Sequence, residues 1–396
     1  MRTGVSRRFS SDVLAIDPQK TAEAIETAIR TQVTEFRRRG IVVGLSGGVD
    51  SSVVTCLCVR AVGAARVHVL LMPERDSSDE SERLSHLLTS RLGVTPQREN
   101  IEPILESAGC YARQAEAIRM VFPQYGDGYR CKVTLPSILD DERLSVSELT
   151  IESPSGTRQT SRMTPAAYQQ LIAATNFKQR VRKMIEYYHA DRLNYAVVGT
   201  PNRLEYDQGF FVKLGDGSAD LKPIAHLYKT QVYALAEYVG VPEEIRRRQP
   251  TTETFSLPQT QEEFYFSVPY GQMDLCLYGR NHDVPAVDVA NAIALTPAQV
   301  ERIYRDIDQK RRTTRYLHAR PAMVEPVVEI HSCCVESPAW CHCERACRRS
   351  PSKFSPAWPG RWRIAGPMNS GSTATSRRVS RTRGCRLSTW PPVSSR

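Results

Sequence analysis

Over most of its length the chain lacks paired cysteine, tryptophan, long apolar runs and net charge. All four Trp and six of the eleven Cys lie after His331. The other five, Cys56, Cys58, Cys110, Cys131 and Cys276, are odd in number and scattered. That excludes a disulfide framework and reads as reduced core or surface thiols. No apolar stretch reaches the roughly 20 residues that span a bilayer, and the N-terminus has no signal-peptide run. The expectation is a soluble cytoplasmic protein without a membrane partner. The formal charge of +10 is a property of the end of the chain. Residues 331–396 hold 12 of the 53 Lys/Arg and 2 of the 43 Asp/Glu, leaving 41 of each sign in the body. A neutral body has no global pull toward nucleic acid.

What is present is organised around S-G-G-V-D-S-S, Ser46 to Ser52. The apolar run Ile41-Val42-Val43-Gly44-Leu45 before it reads as a buried strand, and Val53 to Val62 after it as an apolar helix. A strand, a Gly-rich turn and a helix N-terminus make an anion site, because free N–H groups and the helix dipole point at the ligand. Gly47 and Gly48 let a phosphate come close, and Ser46, Ser51 and Ser52 add hydroxyl donors. Asp50 repels a bare phosphate, so it makes sense beside one when a divalent cation bridges the two. The loop has neither the Lys of G-x-x-x-x-G-K-[ST] nor the pattern G-x-G-x-x-G. It resembles the pyrophosphate loop of ATP pyrophosphatases, which cleave ATP to AMP and pyrophosphate.

The rest of the chain supports an α/β reading. Residues 1–16 read as a loose leader and 17–325 as one domain. Asp17-Pro18 starts a helix that Gly40 should end. Val67–Leu71, Gln97–Ile101 and Tyr195–Gly199 read as further strands, with a helix from Asp79 to Leu92 between the first two. Alternating strands and helices predict a doubly wound parallel sheet of the adenine-nucleotide α-hydrolase type, whose ligands bind at the carboxyl strand ends. Residues 106–163 show little periodicity and read as an insertion of loops and short elements. Helices are expected from Thr164-Pro165, from Asn176, from Tyr228 to Val239, and through most of 261–315. From residue 326 a basic Ser/Arg/Pro/Cys-rich tail reads as a disordered extension or as translation out of frame. Its cysteines lack paired C-x-x-C knuckles, against a zinc site. Its Arg run from Arg377 to Arg386 motivates an RNA-modifying alternative.

Further motifs narrow the resemblance. N-F-K-Q-R-V-R from Asn176, V-V-G-T-P-N-R-L-E from Val197, K-L-G-D-G-S-A-D from Lys213, Y-K-T-Q from Tyr228 and P-T-T-E from Pro250 occur in this order. Together with the phosphate loop they resemble the NAD synthetase family. The resemblance implies ATP-dependent amidation of deamido-NAD through an acyl-adenylate, with Mg²⁺ offsetting charge on the leaving pyrophosphate. It places Gly44, Leu45, Ser46, Gly47, Gly48, Val49, Asp50, Ser51, Ser52, Thr200, Lys229 and Thr251 on ATP. It makes Asp50 and Lys229 catalytic and Asp50 and Glu205 the metal ligands. Asn176, Arg180, Lys213, Asp216, Asp220 and Lys310 fall to deamido-NAD, and the loop after Met72-Pro73 flanks the adenine. The chain departs from the family pattern at Gln309-Lys310, where a His-Lys pair is usual. About 40 residues precede the first strand, too few for a glutaminase domain, so free ammonia or a separate amidotransferase is the expected nitrogen source. A homodimer is implied by resemblance alone. A different carboxylate, selected by the insertion, is the alternative within the same chemistry.

Overall fold

The computed structural model describes residues 9–135, 138–139, 147–252 and 254–325. The expectations for the leader before residue 9 and for the tail from 326 lie outside these residues. By chain contacts, Met1–Ala322 is one unit, and Met323–Arg396 is a second of which only 323–325 are described.

In chain order the elements are α1 (Pro18–Glu35), β1 (Ile41–Gly44), α2 (Val49–Val62), β2 (Val67–Leu71), α3 (Asp79–Leu92), β3 (Gln97–Arg98), α4 (Glu102–Ser107) and α5 (Cys110–Arg119). Then come β4 (Arg130–Thr134), β5 (Glu148–Glu152), β6 (Arg158–Arg162), α6 (Pro165–Leu193), β7 (Ala196–Val198), α7 (Arg203–Gln208), α8 (Lys229–Tyr238) and α9 (Glu243–Arg247). The C-terminal helices are α10 (Tyr270–Asn281), α11 (Ala286–Ile293) and α12 (Pro297–His318).

Four parallel strands lie in the order β3-β2-β1-β7. Side chains alternate across a strand, so each face builds its own core. Ile41, Val43, Val67 and Val69 face α1, α2, α3 and α8. Val42, Leu70 and Val197 face α5 and α6. This is the doubly wound arrangement expected, with the phosphate loop leaving the carboxyl end of β1.

Several boundaries differ from the reading above, each for a local reason. Asp17 caps α1 by accepting from the Lys20 N–H at 3.1 Å, as expected. The helix ends at Glu35 rather than at Gly40, and Arg37 takes φ 53°. Gly40 serves another purpose: a Cβ there would stand 2.4 Å from the Arg66 carbonyl and 2.5 Å from the Tyr195 ring. The third strand stops at Arg98, because the Asn100 side chain accepts from the Glu102 N–H at 3.0 Å and starts α4. The helix starts expected at Thr164 and at Asn176 belong to one 29-residue helix, α6. Within the leader, Ser11–Leu14 forms a 3₁₀ turn whose Leu14 is buried among residues of the C-terminal helices.

The stretch 106–163, read above as an insertion, has more order than its sequence announced. It contains α5 and an antiparallel sheet β4-β5-β6 with a core of its own around Cys131, Val133, Leu149 and Ile151. Periodicity missed it because β6 reads Arg-Gln-Thr-Ser-Arg and is exposed along its whole length. In β5, Leu149, Thr150, Ile151 and Glu152 are all buried, which erases the alternation of a half-buried strand.

Candidate active site

A cavity of about 850 Å³ opens at the carboxyl edge of the parallel sheet. Its wall includes the phosphate loop, Met72-Pro73 with Ser77 and Ser78, the α6 face carrying Asn176, and the 199–201 and 250–252 segments. The loop is closed on itself. Ser51 Oγ donates to the Gly48 carbonyl at 3.1 Å and lies 3.1 Å from Ser46 Oγ, while Ser52 Oγ donates to the same carbonyl at 2.8 Å. Gly48 is the N-cap of α2 and has no side-chain cap, so the first N–H groups of that helix are left for a ligand.

The charged centre is assembled from three elements far apart in sequence. Asp50 stands in the first turn of α2, Glu205 in the first turn of α7, and Lys229 begins α8. Lys229 Nζ is fully buried and donates to Asp50 Oδ2. Asn202 holds the second oxygen, donating from Nδ2 to Asp50 Oδ1 at 3.0 Å. The same Asn202 caps α7: its Oδ1 accepts the Glu205 N–H at 3.2 Å, and Glu205 Oε2 accepts the Asn202 N–H at 3.0 Å. A capping box thereby fixes the two acids relative to each other. The start of α8 is fixed from outside. Asp274 accepts the N–H groups of Lys229 at 3.2 Å and Thr230 at 2.7 Å, and burial pushes its carboxyl up to about 6.

The electrostatics follow from that packing. Burial, and then the Asp50 charge beside it, push the Glu205 carboxyl up to about 8. Burial alone would lower Lys229, but Asp50 and Glu205 more than offset it and the ammonium is held above its ordinary range. Two carboxylates around one ammonium leave an excess of negative charge when both are ionised. Among the described residues no group of three or more His, Cys, Asp or Glu forms a metal cage. Two oxygen donors with charge to neutralise still suit Mg²⁺, which takes phosphate oxygens and waters for the rest of its shell.

The substrate-side residues are distributed unevenly. Asn176, Arg180, Lys213, Asp216 and Lys310 line the same cavity, as do Thr200 and Thr251. Arg180 Nε donates to the Lys213 carbonyl at 3.4 Å, and Lys213 Nζ donates to the Tyr316 and Ala319 carbonyls at 2.9 and 3.0 Å. Asp216 accepts the Val212 N–H at 2.7 Å, and burial raises its carboxyl. Lys310 donates to the Tyr265 carbonyl at 2.8 Å and pairs with Asp306 at 2.8 Å, while burial lowers its ammonium. Asp220 stands apart from the cavity wall. It is exposed and holds the β7 edge, accepting the Val197 N–H at 2.8 Å and the Tyr187 hydroxyl at 3.3 Å. Gln309 is exposed and outside the wall.

Sequence reasoning missed several wall or support residues, Asp274 among them. Asn202 carried a readable signal, the N-x-x-E capping box of T-P-N-R-L-E. Arg248 bonds Ser81 Oγ at 2.7 Å and Ser78 Oγ at 3.3 Å, bringing a guanidinium to the rim of the phosphate loop. Nothing in R-R-R-Q-P distinguishes it from its neighbours. Lys183 and Glu186 form a buried pair at 2.6 Å beneath Gly44, where a Cβ would stand 2.9 Å from Glu186 Oε1. Nothing local in the helix sequence marks them as buried.

A phosphate loop at a switch in strand order, with an acid–ammonium–acid cluster beside it, defines an α/β nucleotide-binding protein of the ATP pyrophosphatase class. The family model described as NAD synthase matches residues 21–122 and 138–316. The NH(3)-dependent NAD(+) synthetase of Mesorhizobium japonicum is 57% identical over 312 residues, covering 78% of this chain and 98% of that protein. The protein of the same description from Thermotoga maritima is 34% identical, covering 74% and 96%. An NH3-dependent NAD synthetase structure from Campylobacter jejuni, in complex with nitrate, aligns at TM-score 0.52 and 22% identity, over 78% of this chain and all of that one. An NMN synthetase structure from Francisella tularensis aligns at TM-score 0.54 and 20% identity, over 78% and 99%. These two likenesses speak for the fold. The chain belongs to the NAD synthase family.

Proposed function

We infer that this chain is an ammonia-using NAD synthetase, a ligase that amidates deamido-NAD at the expense of ATP. The observation that carries the reading is the buried Asp50–Lys229 pair with Glu205 at the mouth of the phosphate loop, in a chain so close to NH3-dependent relatives. A carboxylate is a poor acyl donor. Its oxygen attacks the α-phosphorus of ATP, pyrophosphate leaves, and ammonia displaces AMP from the acyl-adenylate. The loop N–H groups and the Ser46 hydroxyl bind the phosphates being released. Lys229 places a fixed cation where charge accumulates on the transferring phosphoryl group. Asp50 and Glu205 would hold Mg²⁺, which when bound neutralises the pyrophosphate. Arg180 and Lys213 supply positive and donor groups for the dinucleotide's own pyrophosphate. The test is AMP, pyrophosphate and NAD formation from ATP–Mg²⁺ and deamido-NAD, with and without ammonium. NAD that appears only with ammonium supports the reading. Failure of a folded, ATP-binding protein to turn over deamido-NAD sends it to another carboxylate.

Glu205 makes the Mg²⁺-free protein pH-sensitive. The folded state keeps a proton on Glu205 up to about pH 8, while the unfolded chain loses it near the ordinary carboxyl range. Between those values the folded state binds more protons, so this group's stabilisation is lost as pH rises through about 8. In calorimetry at pH 6 to 9 without Mg²⁺, Glu205→Gln should flatten the fall in Tm seen for the wild type. Parallel slopes for the two proteins would refute the assignment.

The dimer implied by the family likeness has a candidate surface on α6. Met184 and Tyr188, four residues apart and hence on one face, are 54% and 59% exposed. Sedimentation should give twice the chain mass of 44.5 kDa, and Met184→Glu should shift the protein to monomer. A wild-type monomer at micromolar concentration would discard the dimer.

A further inference from the structure

Strand β4 is built against the segment that follows Thr251 and Thr252 of the cavity wall. The Leu257 N–H donates to the Cys131 carbonyl at 3.0 Å, and the Cys131 N–H donates to Ser256 Oγ at 2.9 Å. Gln259 Nε2 donates to the Val133 carbonyl, and the Leu135 N–H donates to the Glu263 carbonyl at 3.0 Å. Phe255 completes the contact by entering the insertion's own core. From Pro250 to Gln261 the loop is also closed at its base. The Thr252 N–H donates to the Gln259 carbonyl at 3.0 Å and the Gln261 N–H to the Pro250 carbonyl at 3.2 Å.

A buried ammonium ties the same loop from the other side. Lys178 on α6 is 1% exposed. Its Nζ donates to the Thr254 carbonyl at 2.9 Å, Glu74 Oε1 at 3.0 Å and Asp76 Oδ2 at 2.6 Å. An ammonium has three N–H donors, and all three are used. Lys178 therefore has none to spend on a substrate, although it lines the cavity. What it joins are two loops of the cavity wall, the one after Met72 and the one that carries Thr251 and Thr254.

Resting on the reading of this cavity as the ATP site, we propose that β4 and Lys178 form a brace. The brace holds the Thr251 loop in its nucleotide-binding position before ATP arrives. β4 lies within residues 123–137, which the family model leaves unmatched. Strand β4 is then a positioning device rather than a surface decoration. Lys178 and Ser256 are positioning residues. A loop already ordered binds without the entropy cost of ordering on contact.

The experiment is hydrogen exchange of the ligand-free full chain, combined with ATP–Mg²⁺ titration without deamido-NAD and with kcat at saturating ATP. In Lys178→Met, exchange in the 250–260 peptide should rise at least about tenfold while peptides from α1 and α2 stay unchanged. The Kd for ATP should rise at least about tenfold, equivalent to about 1.4 kcal/mol, with kcat at saturation within about threefold. A general loss of structure would speed exchange everywhere and leave the Kd of the remaining folded fraction unaltered. If Lys178→Met does not fold, Ser256→Ala decides, with a local rise in exchange and a severalfold rise in Kd expected. Unchanged loop exchange, or faster loop exchange with unchanged ATP affinity, overturns the brace. Failure of the wild type to make NAD would count against the proposed reaction alone, because neither exchange nor ATP titration requires turnover.

Discussion

Lys229→Met is expected to lower kcat for NAD formation by at least about 10³-fold, at the upper end of what removal of a single preorganised charge contact costs. Two effects add. The cation that would meet the transferring phosphoryl group disappears. Asp50 and Glu205 are then left as neighbouring acids with no ammonium between them. Burial and the Asp50 charge already keep Glu205 protonated up to about pH 8, and losing the ammonium that counteracts them raises its carboxyl further, so Mg²⁺ has a harder proton to displace. The change damages both phosphoryl stabilisation and the ligand set for Mg²⁺. Lys229→Arg should rescue little. Lys229 is completely buried, flanked by the Tyr270 and Tyr233 rings at 5.2 and 5.9 Å, and a planar fork does not replace a compact ammonium there. The measurement is single-turnover AMP formation at saturating ATP and deamido-NAD. A rate within tenfold of wild type would remove Lys229 from the chemistry.

Gly47→Ala is expected to abolish ATP binding at millimolar concentration and to destabilise the protein by about 1–3 kcal/mol. Gly47 takes φ 73°, where an L side chain is strained, and a Cβ would lie 2.5 Å from the Ser81 carbonyl oxygen. That obstacle is backbone of α3, not the end of a flexible side chain, so the loop itself has to move. Gly48 provides the internal comparison. Its φ is −86°, and the nearest atom to a Cβ there is Ser46 Oγ at 3.5 Å, an ordinary contact. Gly48→Ala should keep wild-type stability and lose affinity only through crowding of the phosphate. Thermal melts with ATP titration separate the two. Equal melting temperatures for Gly47→Ala and wild type would contradict the strain argument.

The two glycines show where the sequence is informative and where it stops. S-G-G-V-D-S-S between an apolar strand and an apolar helix was enough to locate the phosphate loop, because local pattern and local function coincide there. The parallel sheet was legible for the same reason: buried strands in such sheets are short apolar runs separated by helices. Which of Gly47 and Gly48 must be glycine was not legible, because the answer depends on α3 arriving at Ser81, more than 30 residues later in the chain.

The same division runs through the site. Asp50 stood out within the phosphate loop, and Glu205 and Lys229 were pointed to by the family resemblance. Their union depends on Asn202, which touches both acids, and on Asp274, which fixes the start of α8 from a different helix. Lys178, Lys183 and Glu186 are charged residues on one long helix, and it is tertiary packing that buries them. Gly40, expected to end a helix, instead makes room for the Arg66 carbonyl and the Tyr195 ring. The stretch from 106 to 163 had little readable periodicity because β5 is covered on both faces and β6 on neither, so that only the five residues of β4 alternate. Sequence by itself determined the fold class, the phosphate loop and the kinds of residue that carry the chemistry, since these depend on neighbours a few positions apart. Tertiary structure alone decided which charges are buried, which glycine is obligatory, and that β4 lies against the Thr251 loop. Those properties depend on contacts between segments tens to hundreds of residues apart, and no local pattern encodes them.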